Sequence, residues 1–598
     1  MLSTSYRLRS ICQIPAYSIR HASTQREVLS KGMLRAEGPV AEQLAATNVW
    51  KPHRSKARAT VKGEKTRINV TGEKLCQDIE KYLGPSLQRH VGCDLIDLFP
   101  GAGVWSRKLR DIVQPRTHIL MEPDTSLYTP FLEPLTKNPG TTIVPKSGLL
   151  WTDLREVLDG LTHQTRLDPQ SLTPPPKNDT LLVTANLSFY PKTRMTALYL
   201  YQLLSAVRSG TLFQEYGLVR MLIWARPEDI RPTILPMTVQ ARNRSAVEAE
   251  LACEWINEVV GIDSQDPELQ AAIYRSKRSG GPRDHAIELE SAYRALQRLR
   301  EQGITVPRGR ETALLKEAKK IKDESDSLSR RAQSPNVALS YADELAELEH
   351  AFASGDFERG SKEHKRLKRL QYRQTNDTKQ VGSYADILQE HAALAKLHAS
   401  GNASPEELRE KERLWNEKVS SLNPHSLSTF RLIRDNLHLF RQDPPAMLWD
   451  RRTLEPLTVK PEEFFPNVGC SLLDIQPKAM SPLLRGGEGS KVFDLLVKIM
   501  LRNSTVPVSQ RIDDVWPDAA EGLLPNCPSL SDPAKGGTFG KGHAELCARA
   551  LNEKQWVELV EAWMKWPFRP RYDRLERQHS EVEVEDDGSG TADGEFLL

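Results

Sequence analysis

The 598-residue sequence has no run of 18 apolar residues, so no membrane-spanning helix and no membrane insertion are expected. It has no C-x-x-C pair. Its seven cysteines (Cys12, Cys76, Cys93, Cys253, Cys470, Cys527 and Cys547) are scattered, which argues against a zinc module and a disulfide scaffold and fits a reducing compartment. No metal is expected. Strong charge of either sign is also missing: the formal net charge is +3, so the total selects no partner and only its distribution is informative. At this length one hydrophobic core is not enough, and two or three folded units with appendages are expected.

Acid is absent from residues 1–26, where Arg7, Arg9, Arg20 and Arg26 stand among Ser, Thr and dispersed apolar residues. That is the composition of a mitochondrial transit peptide, and it implies a mature chain in the mitochondrial matrix. Residues 27–67 read as a basic N-terminal arm. Its last part carries Lys51, Arg54, Lys56, Arg58, Lys62, Lys65 and Arg67 against a single acid, Glu64. With no apolar period, this stretch reads either as a solvated linker or as an arm that contacts nucleic-acid phosphates.

Strand-length apolar runs then alternate with helical patterns over 68–261, the sign of an α/β unit with a mainly parallel sheet. Strands are expected at 94–99, 118–121, 141–144, 180–184 and 219–224, and a core-facing helix at 197–207. Residues 262–440 are rich in Ala, Glu, Lys, Leu and Arg, and read as a helical insertion, partly disordered, with polar links at 334–337, 374–383 and 400–404. Its basic cluster at 362–373 reads first as a solvated face and alternatively as a nucleic-acid contact. Return strands completing the sheet are expected within 441–489, a C-terminal helical domain over 490–575, and an acidic disordered tail over 576–598.

The chemistry centres on one turn. Asp97-Leu98-Phe99 ends a buried strand, Pro100-Gly101-Ala102-Gly103 turns, and a helix follows. Glycines there let the backbone approach a ligand at the mouth of a parallel sheet. The next strand ends in Glu122, whose carboxylate can take both ribose hydroxyls. Together these point to an adenosine-containing ligand. NAD fits poorly because Ser106 stands where G-x-G-x-x-G requires its last glycine. The fourth strand runs into Ala185-Asn186-Leu187-Ser188-Phe189-Tyr190, where an Asn amide can hold an exocyclic amine and an aromatic ring can stack on an extruded base.

These blocks resemble the rRNA adenine N6-dimethyltransferase superfamily, and most closely its mitochondrial transcription factor B branch of fungal type. The resemblance runs through I-N-V-T at 68–71, D-L-F-P-G-A-G at 97–103, M-E-P-D-T-S-L-Y at 121–128 and V-T-A-N-L at 183–187. It continues through F-F-P-N-V at 464–468, L-L-D-I-Q-P at 472–477, V-F-D-L-L-V-K at 492–498 and A-L-N-E-K-Q-W at 550–556. It implies a Rossmann-like S-adenosylmethionine-dependent methyltransferase fold with a small C-terminal all-α domain. By the same resemblance, Asp97, Gly101, Gly103, Glu122 and Asn186 bind the cofactor, while Asn186 holds the target amine and Phe189 stacks on the adenine.

Three positions depart from the pattern. Phe99 replaces the first motif glycine. Lys146-Ser147-Gly148-Leu149 offers no carboxylate where the family holds the cofactor adenine. Ser188 replaces the proline of N-L-P-[FY]. The expected function is a transcription initiation factor that binds mitochondrial RNA polymerase and promoter DNA. The alternative is an active S-adenosylmethionine-dependent dimethylase of small-subunit rRNA, and a third reading is a ribosome-assembly protein that keeps only the fold.

Overall fold

A computed structural model describes residues 29–30, 32–50, 66–168, 171, 173–190, 194–273, 283–321, 342–502, 506–539 and 542–586. The transit peptide expected at 1–26, the link expected at 334–337 and residues 587–598 of the tail lie outside the described residues.

The strands in chain order are β1 (Asn69–Val70), β2 (Asp94–Leu98), β3 (Thr117–Met121), β4 (Thr141–Val144), β5 (Lys177–Asn186), β6 (Leu218–Ala225), β7 (Cys253–Gly261), β8 (Leu457–Thr458), β9 (Phe464–Phe465) and β10 (Ser471–Pro477). Eight of them form one sheet in the order β4-β3-β2-β5-β6-β10-β7-β8, while β1 and β9 pair separately. β2, β3, β4, β5 and β6 run parallel, and β10 lies antiparallel between β6 and β7. The chain therefore winds outward from β2 in one direction and from β5 in the other. The crevice between their carboxyl ends is the topological switch point, where α/β sheets bind ligands.

The sequence explains the layering. β2 (Asp-Leu-Ile-Asp-Leu) is buried at every position, as expected for a strand covered on both faces. Leu95 and Leu182 face one core with Trp105, Ile79 and Tyr82, whereas Ile96, Leu98 and Val183 face the other with Tyr199, Leu203 and Phe213. That second core continues without a break through the helix Gly487–Met500 (Phe493, Leu496) into Glu553–Lys565 (Trp556, Trp563). The C-terminal helices thus share the sheet's core. The last of these two helices opens on a capping box, with Asn552 and Gln555 satisfying each other's backbone N–H.

The insertion is helical over His285–Glu301, Ala313–Ala318, Ala342–Ala353, Lys362–Ser400, Pro405–Ser420 and Pro424–Arg441. It is anchored by charge as well as by apolar packing. Arg283 makes paired bonds to Asp450 at 2.8 and 2.9 Å, and Ser291 donates to the same carboxylate at 2.7 Å, all out of water.

Two expectations need correction, and one strand was missed. The polar stretch 374–383 is the middle of one 39-residue helix, Lys362–Ser400, because the strong helix formers on both sides carry it through. The tail expected to be disordered from residue 576 is helical as far as Asp586; Leu575 is buried and His579 bonds the Val515 carbonyl at 3.0 Å. β7 was not anticipated. Its polar Asn257 and Glu258 break the apolar run, and each is buried against a partner, Thr453 and Arg231.

Candidate functional site: a switch-point crevice closed by arginine

β2 ends in Leu98, and the turn Phe99-Pro100-Gly101-Ala102-Gly103 leads into the helix Val104–Val113. Gly101 and Gly103 take positive φ (57° and 68°), and so does Phe99 (58°), a conformation a bulky residue adopts only at a cost. The turn thus holds the left-handed conformation at Phe99 as well as at its two glycines. A Cβ on Gly103 would lie 2.8 Å from Leu132, and one on Gly101 would lie 2.3 Å from the Asn69 side-chain oxygen. Something already fills the space those glycines open.

At Gly103 it is Leu132 of the helix Thr125–Thr136, and at Gly101 it is Asn69 of β1 with Arg67 just before it. The Ile68 N–H donates to the Ser188 carbonyl (2.9 Å) and the Tyr190 N–H to the Thr66 carbonyl (2.6 Å), so residues 66–68 lie along the Asn186–Tyr190 loop. Asn69 accepts from the Ala102 N–H at 3.1 Å and donates to the Tyr128 hydroxyl at 3.2 Å. Arg67 turns inward. Its guanidinium meets the Glu122 carboxylate at 2.5 Å and stands 5.0 Å from the Phe99 ring centre and 4.9 Å from that of Tyr128. Arg67 is 1% exposed and Glu122 0%. Glu122 also accepts the N–H groups of Gly101 (3.2 Å) and Asp124 (2.9 Å). Burial pushes the Tyr128 hydroxyl up to about 12, so it remains a neutral wall of the site.

Arg67 is thus corrected. Expected on a phosphate-contacting arm, it is instead a buried ion-pair partner, because a guanidinium removed from water needs a carboxylate and aromatic faces, and the crevice supplies both. Lys51, Arg54, Lys56, Arg58, Lys62 and Lys65 lie outside the described residues. Asp97 sits below the turn on the other side. Its carboxylate is 3.8 Å from the His118 ring, and both are buried. Asn186 spends its amide on the Ile68 carbonyl (2.9 Å) and its oxygen on the Ser188 N–H (3.1 Å). Phe189 is folded into the core. Beneath Asn186, the Trp105 ring N–H bonds the Thr184 hydroxyl at 3.1 Å and the ring stacks edge-on against Trp224. The crevice left among Val70, Asp97, Trp105, Asn186 and Trp224 has a volume of about 10 Å³, room for one water.

Sequence reasoning assigned no site role to Asn69 or Tyr128, although both stand in the quoted blocks. Their signal is spatial: each becomes meaningful only once β1 is known to lie across the glycine turn.

S-adenosylmethionine does not fit this arrangement. The carboxylate that would take its ribose hydroxyls is paired with Arg67, and Asn69 occupies the approach to Gly101. The loop where the resemblance would put the adenine, residues 146–149, offers no acid, and it is tied down by Tyr199 donating to the Gly148 carbonyl and by the Ser147 N–H donating to Asp153. Among the described residues no group of three His, Cys, Asp or Glu side chains could hold a metal, and no helix is long and apolar enough to cross a membrane.

Strand order, switch point, glycine turn and the acid after β3 define a Rossmann-like protein of the S-adenosylmethionine-dependent methyltransferase fold. More particularly, the chain is similar to the Mitochondrial transcription factor 1 of Saccharomyces cerevisiae, at 24% identity over 200 residues, 31% of this chain and 56% of that one. It therefore spans about half the length of that relative. This agrees with the transcription factor B resemblance carried by the motifs. No family model matches the chain. A crystal structure of a dimethyladenosine transferase from Plasmodium falciparum is 9% identical, covering 43% of this chain and 94% of that one, with a TM-score of 0.22. At that score it adds nothing to the strand order.

Proposed function

We propose that this chain is a mitochondrial transcription initiation factor that acts in the matrix, binding mitochondrial RNA polymerase and promoter DNA with its methyl-transfer site closed. One observation carries the reading: Arg67 pairs with Glu122 and Asn69 lies on the glycine turn, where the resemblance puts the cofactor, and Asn186 is consumed by backbone bonds. A site filled by the protein's own side chains serves the fold and not the chemistry. The likeness to a protein named mitochondrial transcription factor supports the same reading. The basic residues Lys56, Arg58, Lys62 and Lys65 supply phosphate contacts in it.

Run-off transcription from a cognate mitochondrial promoter, with purified polymerase, tests the proposal. Specific initiation is expected only with the protein added, and it should survive Asn186→Ala. If the protein leaves initiation unchanged and instead transfers methyl groups from S-adenosylmethionine to adenines of small-subunit rRNA, the dimethylase reading replaces this one.

A further inference from the structure

The helix Lys362–Ser400 buries Leu367 and Leu370 against Leu345 of the neighbouring helix Ala342–Ala353. At 100° per residue, the face turned away from those leucines holds Lys362, Lys365, Lys368, Arg369 and Tyr372. All five are exposed, and Tyr372 is exposed to 71%, far more than a ring gains by lying on its own helix. None of the four cations is in an ion pair among the described residues. Lys368 reaches only Gln371, at 3.3 Å. Arg366, which lies off this face, does pair, with Glu344 at 2.7 Å. Asn376, a turn beyond Tyr372, and then Lys379 continue the face without adding an acid to it.

An ordinary solvated helix in the same insertion looks different. On Pro405–Ser420, Arg409, Lys411 and Arg413 pair with Glu406, Glu407 and Glu410 at 2.7–2.9 Å, three or four residues away. That surface neutralises itself, as helices with i,i+4 charge pairs do. The Lys362–Tyr372 face is built without such acids, over about 15 Å of helix, and it places an exposed ring in line with the cations. Cations that track a backbone beside a ring free to stack are the two components of sequence-tolerant single-strand binding.

We propose that this face binds single-stranded nucleic acid, with Lys362, Lys365, Lys368 and Arg369 against phosphates and Tyr372 stacked on a base. The site is remote in sequence from the closed crevice, and its test involves neither polymerase nor promoter. A chain inert in run-off transcription would still show it.

The test is fluorescence anisotropy of labelled dT and rU 20-mers and of a 20-base-pair duplex, titrated with the full chain between 50 and 200 mM salt. Lys362→Gln/Lys365→Gln/Lys368→Gln/Arg369→Gln is expected to weaken single-strand binding at least tenfold at 100 mM salt. It should also make the log affinity–log salt slope shallower by about 3, from ~0.7 per lost phosphate contact. Tyr372→Ala should weaken binding about 5- to 100-fold with the slope unchanged. Arg409→Gln/Lys411→Gln/Arg413→Gln should change neither. All variants are at exposed positions, and matching circular dichroism spectra and melting curves confirm their folding. Equal losses in the two multiple variants, or no loss in the first, overturn the proposal. A loss for the duplex alone, with Tyr372→Ala silent, overturns the single-strand assignment.

Discussion

Arg67 ends a run of seven cations, and nothing in the run itself marks it as different. Its neighbours make the difference. Taking a guanidinium and a carboxylate out of water costs several kcal/mol per ion, and their attraction repays this only with good geometry and further hydrogen bonds. Here Glu122 has Arg67 and two backbone N–H donors, and Arg67 has two aromatic faces. The pair is worth little as a net stabiliser but is expensive to break from one side. Arg67→Ala, which leaves Glu122 buried without its cation, should lower unfolding stability by about 3–5 kcal/mol in urea titrations. Arg67→Met combined with Glu122→Gln keeps the volume and removes both charges, so it should cost less than half as much. Equal losses in the two proteins would show that the ion pair itself stabilises the fold, and that the cost of Arg67→Ala is not only that of a stranded carboxylate. The glycine turn and Glu122 were legible because their spacing is local. The arginine that fills the site was not, since its partner stands 55 residues away.

At the scale of elements, β2, β3, β4 and β6 lie within a residue or two of their expected places; β2 and β6 are buried throughout, and β3 and β4 are short runs of strand formers bounded by polar turns. β5 begins three residues earlier than expected, because Lys177, Asn178 and Asp179 form its polar, partly exposed start. β7 was hidden because its buried polar residues are satisfied by distant partners, which no local pattern reveals. Junctions between elements carry chemistry of the same unreadable kind. His90 closes the turn after the helix Glu73–Leu87. Its Nδ1 bonds the Asp179 carbonyl of β5 at 2.9 Å and its Nε2 accepts from Arg89 at 3.3 Å, the pattern of a neutral ring. Burial, and then the nearby Arg220 cation, lower its pKa from 6.5 to about 4. A histidine depressed in the folded state contributes its full stability above the unfolded value of 6.5, and loses it as pH falls from there toward 4. The stability advantage of the wild type over His90→Gln should therefore shrink by about 2–3 kcal/mol between pH 7.5 and 4.5. A gap that stays constant across urea titrations at those pH values would place the histidine outside the acid response.

For the whole molecule, the decisive feature is where β10 lies. It enters the interior of the sheet between β6 and β7, although the entire helical insertion separates it from them in sequence. Two ion pairs and two hydrogen bonds fasten the two halves. Asp474 of β10 takes Arg220 of β6 at 2.6 and 2.8 Å and the Trp255 ring N–H at 3.1 Å. Ser471 donates to Glu258 at 2.5 Å, and Glu463 joins Arg310 near Asp78. Without β10, β6 and β7 would expose open backbone edges inside the sheet, and buried Arg220 would keep only its bonds to Ser86 and lose its carboxylate. Contacts this distant in sequence also make folding slow, because the loop must close before they form. The α/β unit and the C-terminal helices should accordingly fold as one body. Residues 29–441 alone should lack near-ultraviolet circular dichroism and a cooperative urea transition, and residues 442–586 alone should lack them too. Mixing the two fragments should restore both signals, since β8, β9, β10 and the helices that follow arrive together on the second piece. A sharp transition from 29–441 by itself would mean that the sheet closes without β10, and that the C-terminal part is a separable domain.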